Sequence, residues 1–173
     1  MMRWTDHLIL VPVVLPLVAG AAMLLVDEQR RGLKFAISLV STLGLLAAAI
    51  VLMRLADGRL EGWSGSIGVY LAANWPVPFG IALAVDRLSA LLLALCAVLA
   101  LASLVFSHAR WNRAGVHFHA LFQFLLMGVN GTFLTADLFN LFVFFEVMLA
   151  ASYGLALHGS GAARVPAAMH YVA

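Results

Sequence analysis

Long uncharged runs separated by short polar intervals dominate this chain. Crossing roughly 30 Å of hydrocarbon takes about 20 mostly apolar residues. Five stretches reach that length: 8–26, 35–53, 88–107, 116–134 and 138–157, the last interrupted only by Glu146. The runs are continuous instead of alternating, so helices are predicted and membrane strands, which alternate over about 10 residues, are not. Pro12 and Pro16 fall inside the first run. They do not argue against a helix there, because membrane helices accept proline where a neighbour satisfies the freed carbonyl.

The pattern predicts an all-α membrane protein with five transmembrane helices and the start of a sixth. Its parts are a first helix with a basic loop (1–34), a second helix (35–55) and an interfacial loop (56–80). A third helix (81–107), a fourth (116–134) and a fifth (138–157) follow, then the beginning of another at 166–173, where the sequence halts like a partial chain. The loop is rich in glycine and carries Trp63, Trp75, Pro76 and Pro78, a composition suited to an ordered segment or short hairpin at the membrane interface. Trp4 and Trp111 also lie at or beyond the ends of spans, as interfacial anchors do.

Composition narrows the function. Hydrophobic residues are 64% of the chain and charged residues 10%, against roughly 25% charged in a soluble domain. That excludes a water-soluble fold. The net charge of +2 comes from scattered Lys and Arg without a basic block, which excludes nucleic acid as a partner. The single cysteine, Cys96, sits inside an apolar run and reads as packing. His117 and His119, two apart on a helix, point to different faces, so no metal site is expected. No serine–histidine or paired-aspartate arrangement suggests an intramembrane hydrolase.

Orientation follows from the cations. Connections after the first, third and fifth helices carry Arg30, Arg31, Lys34, Arg110, Arg113 and Arg164, and the other side carries Arg3, Arg54, Arg59 and Arg87. The asymmetry favours an external N-terminus.

Glu146 lies about 12 Å into the fifth span, near the bilayer midplane. A carboxylate there costs about 2.5 to 3.5 kcal/mol on insertion scales, and those that persist face protein or a water-filled path. Glu146, Ala150 and Gly154 recur every four residues, a row of small residues expected to bring the carboxylate into a helix bundle. Two readings follow: a proton-transfer group whose ionisation is tuned by desolvation, or a permanently protonated or ion-paired structural group. In the fourth helix His119, Gln123, Met127 and Asn130 share a face. This stripe either holds water beside Glu146 or bonds helices together. Asp137 immediately precedes the fifth helix and reads as its N-cap, with a channel entrance as the alternative.

The run Phe133-Leu134-Thr135-Ala136-Asp137-Leu138-Phe139-Asn140-Leu141-Phe142-Val143-Phe144-Phe145-Glu146-Val147, with Ala151-Ser152-Tyr153-Gly154-Leu155 after it, resembles the D subunits of the Mrp-type (Pha or Sha) multisubunit monovalent cation/proton antiporters. Val85-Asp86-Arg87-Leu88-Ser89-Ala90 and Phe118-His119-Ala120-Leu121-Phe122-Gln123 resemble the starts of that family's third and fourth helices. The resemblance implies the N-terminal part of an antiporter-like bundle, akin to the proton-pumping membrane subunits of complex I. Glu146 matches the family's key glutamate, partnered there by a lysine on a later helix. It implies a transporter component, not an enzyme, in a bacterial inner membrane. Its partners would be other antiporter subunits, protons, monovalent cations (Na+, Li+ or K+) and lipid, with no cofactor. The rival is an antiporter-like component of complex I or of a membrane-bound hydrogenase.

The cation asymmetry makes a topological prediction. Reporter fusions in the 56–80 loop should be active outside the cell, and cytoplasmic activity there would reverse the orientation.

Overall fold

The computed structural model describes residues 4–27, 29–60, 63, 66–75, 80–110, 117–159 and 165–166. Arg3, Pro76, Pro78, Trp111, Arg113, Arg164 and the expected sixth helix beyond Pro166 lie outside the described residues.

The elements are α1 (Trp4–His7), a 3-10 turn (Leu8–Leu10), α2 (Val11–Leu25), α3 (Arg31–Ala56), β1 (Gly68–Leu71), β2 (Ala82–Val85), α4 (Arg87–Arg110), α5 (Phe118–Leu134) and α6 (Leu138–Ala156). Among the described residues, four helical stretches are long and apolar enough to cross a membrane: Thr5–Leu25, Arg31–Ala56, Arg87–Ala109 and Leu138–Ala156. The shorter apolar helix α5, with 17 residues, sits at the centre, against α2 on one side and α6 on the other. α4 lies along α3.

The central position of α5 follows from its residues. It carries the buried polar side chains His119, Gln123 and Asn130, which hydrocarbon would penalise heavily without partners. It also carries Gly128 and Gly131, where an added Cβ would meet the Met148 backbone and the Phe144 ring of α6. Those two glycines let the backbones approach, and Phe144 fills the space above Gly131.

Asn130 answers the proline question. Pro16 lies inside α2 and has no N–H for the carbonyl of Pro12, one turn back. Asn130 Nδ2 of α5 donates to that carbonyl at 3.0 Å. Both prolines are fully buried, so water cannot do this.

The described part of the 56–80 segment contributes a strand to the fold. β1 and β2 form an antiparallel hairpin with Gly68 opposite Val85 and Leu71 opposite Ala82. β2 is linked onward to the α5–α6 connection by the Ala136 N–H on the Ala82 carbonyl at 2.9 Å and a Leu83–Thr135 bridge. Leu83 and Val85 are buried with Ile9, Leu52, Leu134 and Phe144, so the hairpin plugs one end of the bundle. The third helix therefore starts at Arg87, not at residue 81 as the hydropathy suggests. Apolarity alone does not separate a buried strand from a helix, and Asp86 marks the change. Its carboxylate accepts from the Ser89 backbone N–H at 2.7 Å. That bond, with a second from the Ser89 side chain, holds the carboxyl below its usual range. The cap therefore contributes above the ordinary aspartate pKa and weakens only as acid protonates Asp86 at lower pH.

At the same end, α3 stops in a glycine turn. Gly58 takes φ +70° while its N–H and that of Arg59 reach back to the carbonyls of Leu55 and Arg54. Asp57 then pairs with Arg87 at 3.1 Å, fastening the end of α3 to the start of α4.

Asn130→Leu should destabilise the protein by about 1 to 2 kcal/mol, since interhelical bonds in membranes are modest but a stranded carbonyl adds cost. In a Pro16→Ala background the helix can bond the Pro12 carbonyl itself, and the same substitution should cost clearly less. Thermal unfolding of the detergent-solubilised variants measures this; equal losses in both backgrounds would refute the carbonyl-capping role.

Candidate ion-translocation site

Glu146 stands midway along the 19 residues of α6. The side of α6 buried on α5 carries Asn140, Phe144 and Ala151, with Met148 against Gly128. At roughly 100° per residue, Glu146 lies on nearly the opposite side, together with the exposed Phe139, Phe142, Val143 and Ala150. The row Glu146, Ala150, Gly154 as a whole is therefore not the face on which α6 packs against α5. Gly154 meets Leu121 of α5, whereas Ala150 and Glu146 are both exposed. The close helix approach is made by glycines of α5, so the face of α6 that enters the bundle is the one over those glycines. The carboxylate is presented outward from the described helices, and no ion pair joins it to them.

The stripe on α5 is also turned away from Glu146. Gln123 is completely buried against α3. Its Oε1 accepts from Ser41 Oγ at 2.9 Å, and its Nε2 donates to the Ser38 carbonyl at 3.3 Å and Thr42 Oγ1 at 3.4 Å. Asn130 is committed to Pro12 on α2. The two amides thus bond α5 to α2 and α3, and α5 itself separates them from α6. His119, also buried, lies a turn nearer the end of the same face.

Asp137 is the N-cap of α6. Its carboxylate accepts from the Asn140 backbone N–H at 2.8 Å and from the Asn140 side-chain amide. Its extended φ and ψ, −138° and 150°, turn the chain from the Thr135 bridge into the helix.

The opposite end of the bundle holds ionisable residues that hydropathy reading missed. Lys34 of α3 and His158 after α6 are buried, although Lys34 reads as a loop cation and His158 as part of a turn. His108 of α4 stacks on Phe35 with ring centroids 4.1 Å apart. The available signal was positional: each stands at a helix terminus on the same side of the membrane. Among the described residues no group of three or more His, Cys, Asp or Glu is arranged to hold a metal ion.

With this geometry in hand, the chain can be set beside known proteins. No family model matches it. The structure of the Mrp complex from Dietzia sp. DQ12-45-1b superposes with a TM-score of 0.84 at 32% identity, over 99% of this chain and 31% of that one. The archaeal membrane-bound sulfane sulfur reductase shares the fold, with a TM-score of 0.75 at 22% identity over 97% of this chain and 33% of that one. The protein is thus a multi-pass membrane protein with an antiporter-like helix bundle. All 173 residues align at 56% identity with the D subunit of a probable K(+)/H(+) antiporter of Rhizobium meliloti, covering 32% of its length. The D subunit of the Na(+)/H(+) antiporter of Alkalihalophilus pseudofirmus is 34% identical over 96% of this chain and 33% of its own. The N subunit of the NADH-quinone oxidoreductase of Desulforudis audaxviator is 37% identical over 97% and 33%. The chain is thus similar in sequence to part of these antiporter D subunits, and it spans about one third of the length of the curated relatives it matches.

Capping makes a specific demand on Asp137. Asp137→Asn keeps an acceptor for the Asn140 N–H and should leave stability and transport near normal, whereas Asp137→Ala should cost about 1 kcal/mol of stability. Loss of transport in a stably folded Asn variant would show that the charge itself serves as an entrance.

Proposed function

We propose that this chain forms part of a membrane component of a proton-driven monovalent cation/proton antiporter, with Glu146 as its proton-transfer group. The observation that carries the reading is the midspan carboxylate on a helix face left open by the described bundle, in a chain that aligns over its whole length with one third of an antiporter subunit. A carboxylate at that depth needs a protein or aqueous surrounding. The face of Glu146, rimmed by Phe139 and Phe142, is where the remaining two thirds of a protein of the relatives' length would supply it. α5, about 26 Å long at 1.5 Å per residue, is the fourth crossing and brings the number to five in this reading. His119, Gln123 and Asn130 contribute interhelical bonding more than a water path beside Glu146, because they face α2 and α3. The relative with 56% identity is named for potassium, so K+ is the first cation to test. The similarity to an oxidoreductase component supports one second reading, a proton-pumping part of a respiratory complex. Co-purification with antiporter subunits, or with redox subunits, separates the two.

In the assembled complex Glu146→Gln keeps size and hydrogen bonding but cannot ionise. The amount of assembled complex should be preserved while cation-dependent proton flux falls at least about tenfold, equivalent to 1.4 kcal/mol or more. Glu146→Asp retains the ionisable group one methylene back and should leave partial activity with a displaced pH profile. Normal flux in a well-assembled Gln variant would end the reading; loss of assembly would make Glu146 structural.

A further inference from the structure

At the bundle end opposite the hairpin, four basic side chains from four different helix termini come together. Lys34 is in the first turn of α3, His108 near the end of α4, His119 in the first turn of α5, and His158 just beyond α6. Two phenylalanines link the three histidines, and the charge of Lys34 acts on His119. Phe35 stacks on His108 at 4.1 Å and meets His119 edge-on at 6.1 Å; Phe118 contacts His119 and His158, each at 5.3 Å between centroids. Lys34, His119 and His158 are only 5%, 3% and 6% exposed. A hydrophobic bundle end would ordinarily be closed by aliphatic side chains. Here it is closed by three imidazoles and an ammonium.

We propose that Lys34, His108, His119 and His158 form a proton-binding site, separate from Glu146, through which the antiporter exchanges protons with the aqueous phase at this end. The inference rests on the antiport reading for its role in transport, but the site's titration can be tested without it. Histidine is the side chain whose ordinary titration range spans neutral pH. His108 is solvent-exposed, so protons can reach the cluster from this end. The charges of His108, Lys34 and His158 all act on His119. A positive charge on any of these three neighbours therefore opposes one on His119. Among the described residues, Asp27, Arg30 and Arg31 in the α2–α3 connection and His117 before α5 also lie at this end, all exposed. They set a local field without closing the site. From His119 the face of α5 continues inward to Gln123 and the hydroxyls of Ser38, Ser41 and Thr42, polar groups that extend the cluster between α3 and α5.

The test uses the complete antiporter complex with His158→Gln and His108→Gln in this chain. Gln retains hydrogen bonding but takes no proton. Histidine NMR on the purified complex follows the titration of His108 when His158 is replaced. Removing a neighbour that can carry the same charge should move the His108 midpoint upward. An unchanged midpoint overturns the coupled site whatever the protein transports. In vesicles, either variant should displace the pH profile of cation-dependent proton flux. Profiles superimposable on wild type, in complexes where Glu146→Gln abolishes flux, overturn the proposal and leave the antiport reading standing. If wild type shows no such flux, that reading falls, while the NMR coupling still decides the proton-binding site.

Discussion

The hydrogen bond from Asn130 to the Pro12 carbonyl, with the Gln123 bonds beside it, is the constraint on which the arrangement depends. In a bilayer no water can satisfy a polar group at depth, so each must find a partner inside the protein. Pro16 creates an unfilled carbonyl in α2, and Asn130 and Gln123 bring amides on α5 that must be occupied. The placement of α2, α3 and α5 in this fold satisfies all three. α5 is fixed at the centre by that requirement, and its other side, opened by Gly128 and Gly131, is then available for α6.

This division of faces has a functional consequence. α5 commits its polar residues to α2 and α3 and its glycines to α6, so α6 meets the bundle with Asn140, Phe144 and Ala151. Glu146 is left on the far side by helix periodicity. The carboxylate and the polar stripe, which a one-dimensional reading associates, are on opposite sides of a packed helix pair. Any ionisable partner for Glu146 must approach from beyond α6.

The two ends of the bundle are built differently. One is sealed by the hairpin, whose Leu83 and Val85 enter the core while the Asp57–Arg87 pair and the Asp86 and Asp137 caps stay near the surface. The other collects Lys34 and three histidines around two phenyl rings. Acidic caps gather at helix N-termini on the first end, where the dipole favours them. His108 and His158 follow the same rule at C-termini on the second.

Much was legible in the order of residues alone. Uninterrupted apolar runs determined that the chain is a membrane helix bundle, because the energy of exposing them to water leaves no alternative. Aspartate before a helical run marked the cap at Asp137, since that bond is local. The motif around Glu146 identified the relatives. Tertiary structure decided what depended on partners distant in sequence. The 81–86 segment is equally apolar as strand or helix, and only pairing with 68–71 and Thr135 made it a strand. The row Glu146, Ala150, Gly154 has the spacing of a packing face, yet the face used was chosen by glycines on another helix. The basic cluster was invisible for the same reason: Lys34, His108, His119 and His158 are far apart in the chain, and proximity among helix ends exists only once the bundle has closed.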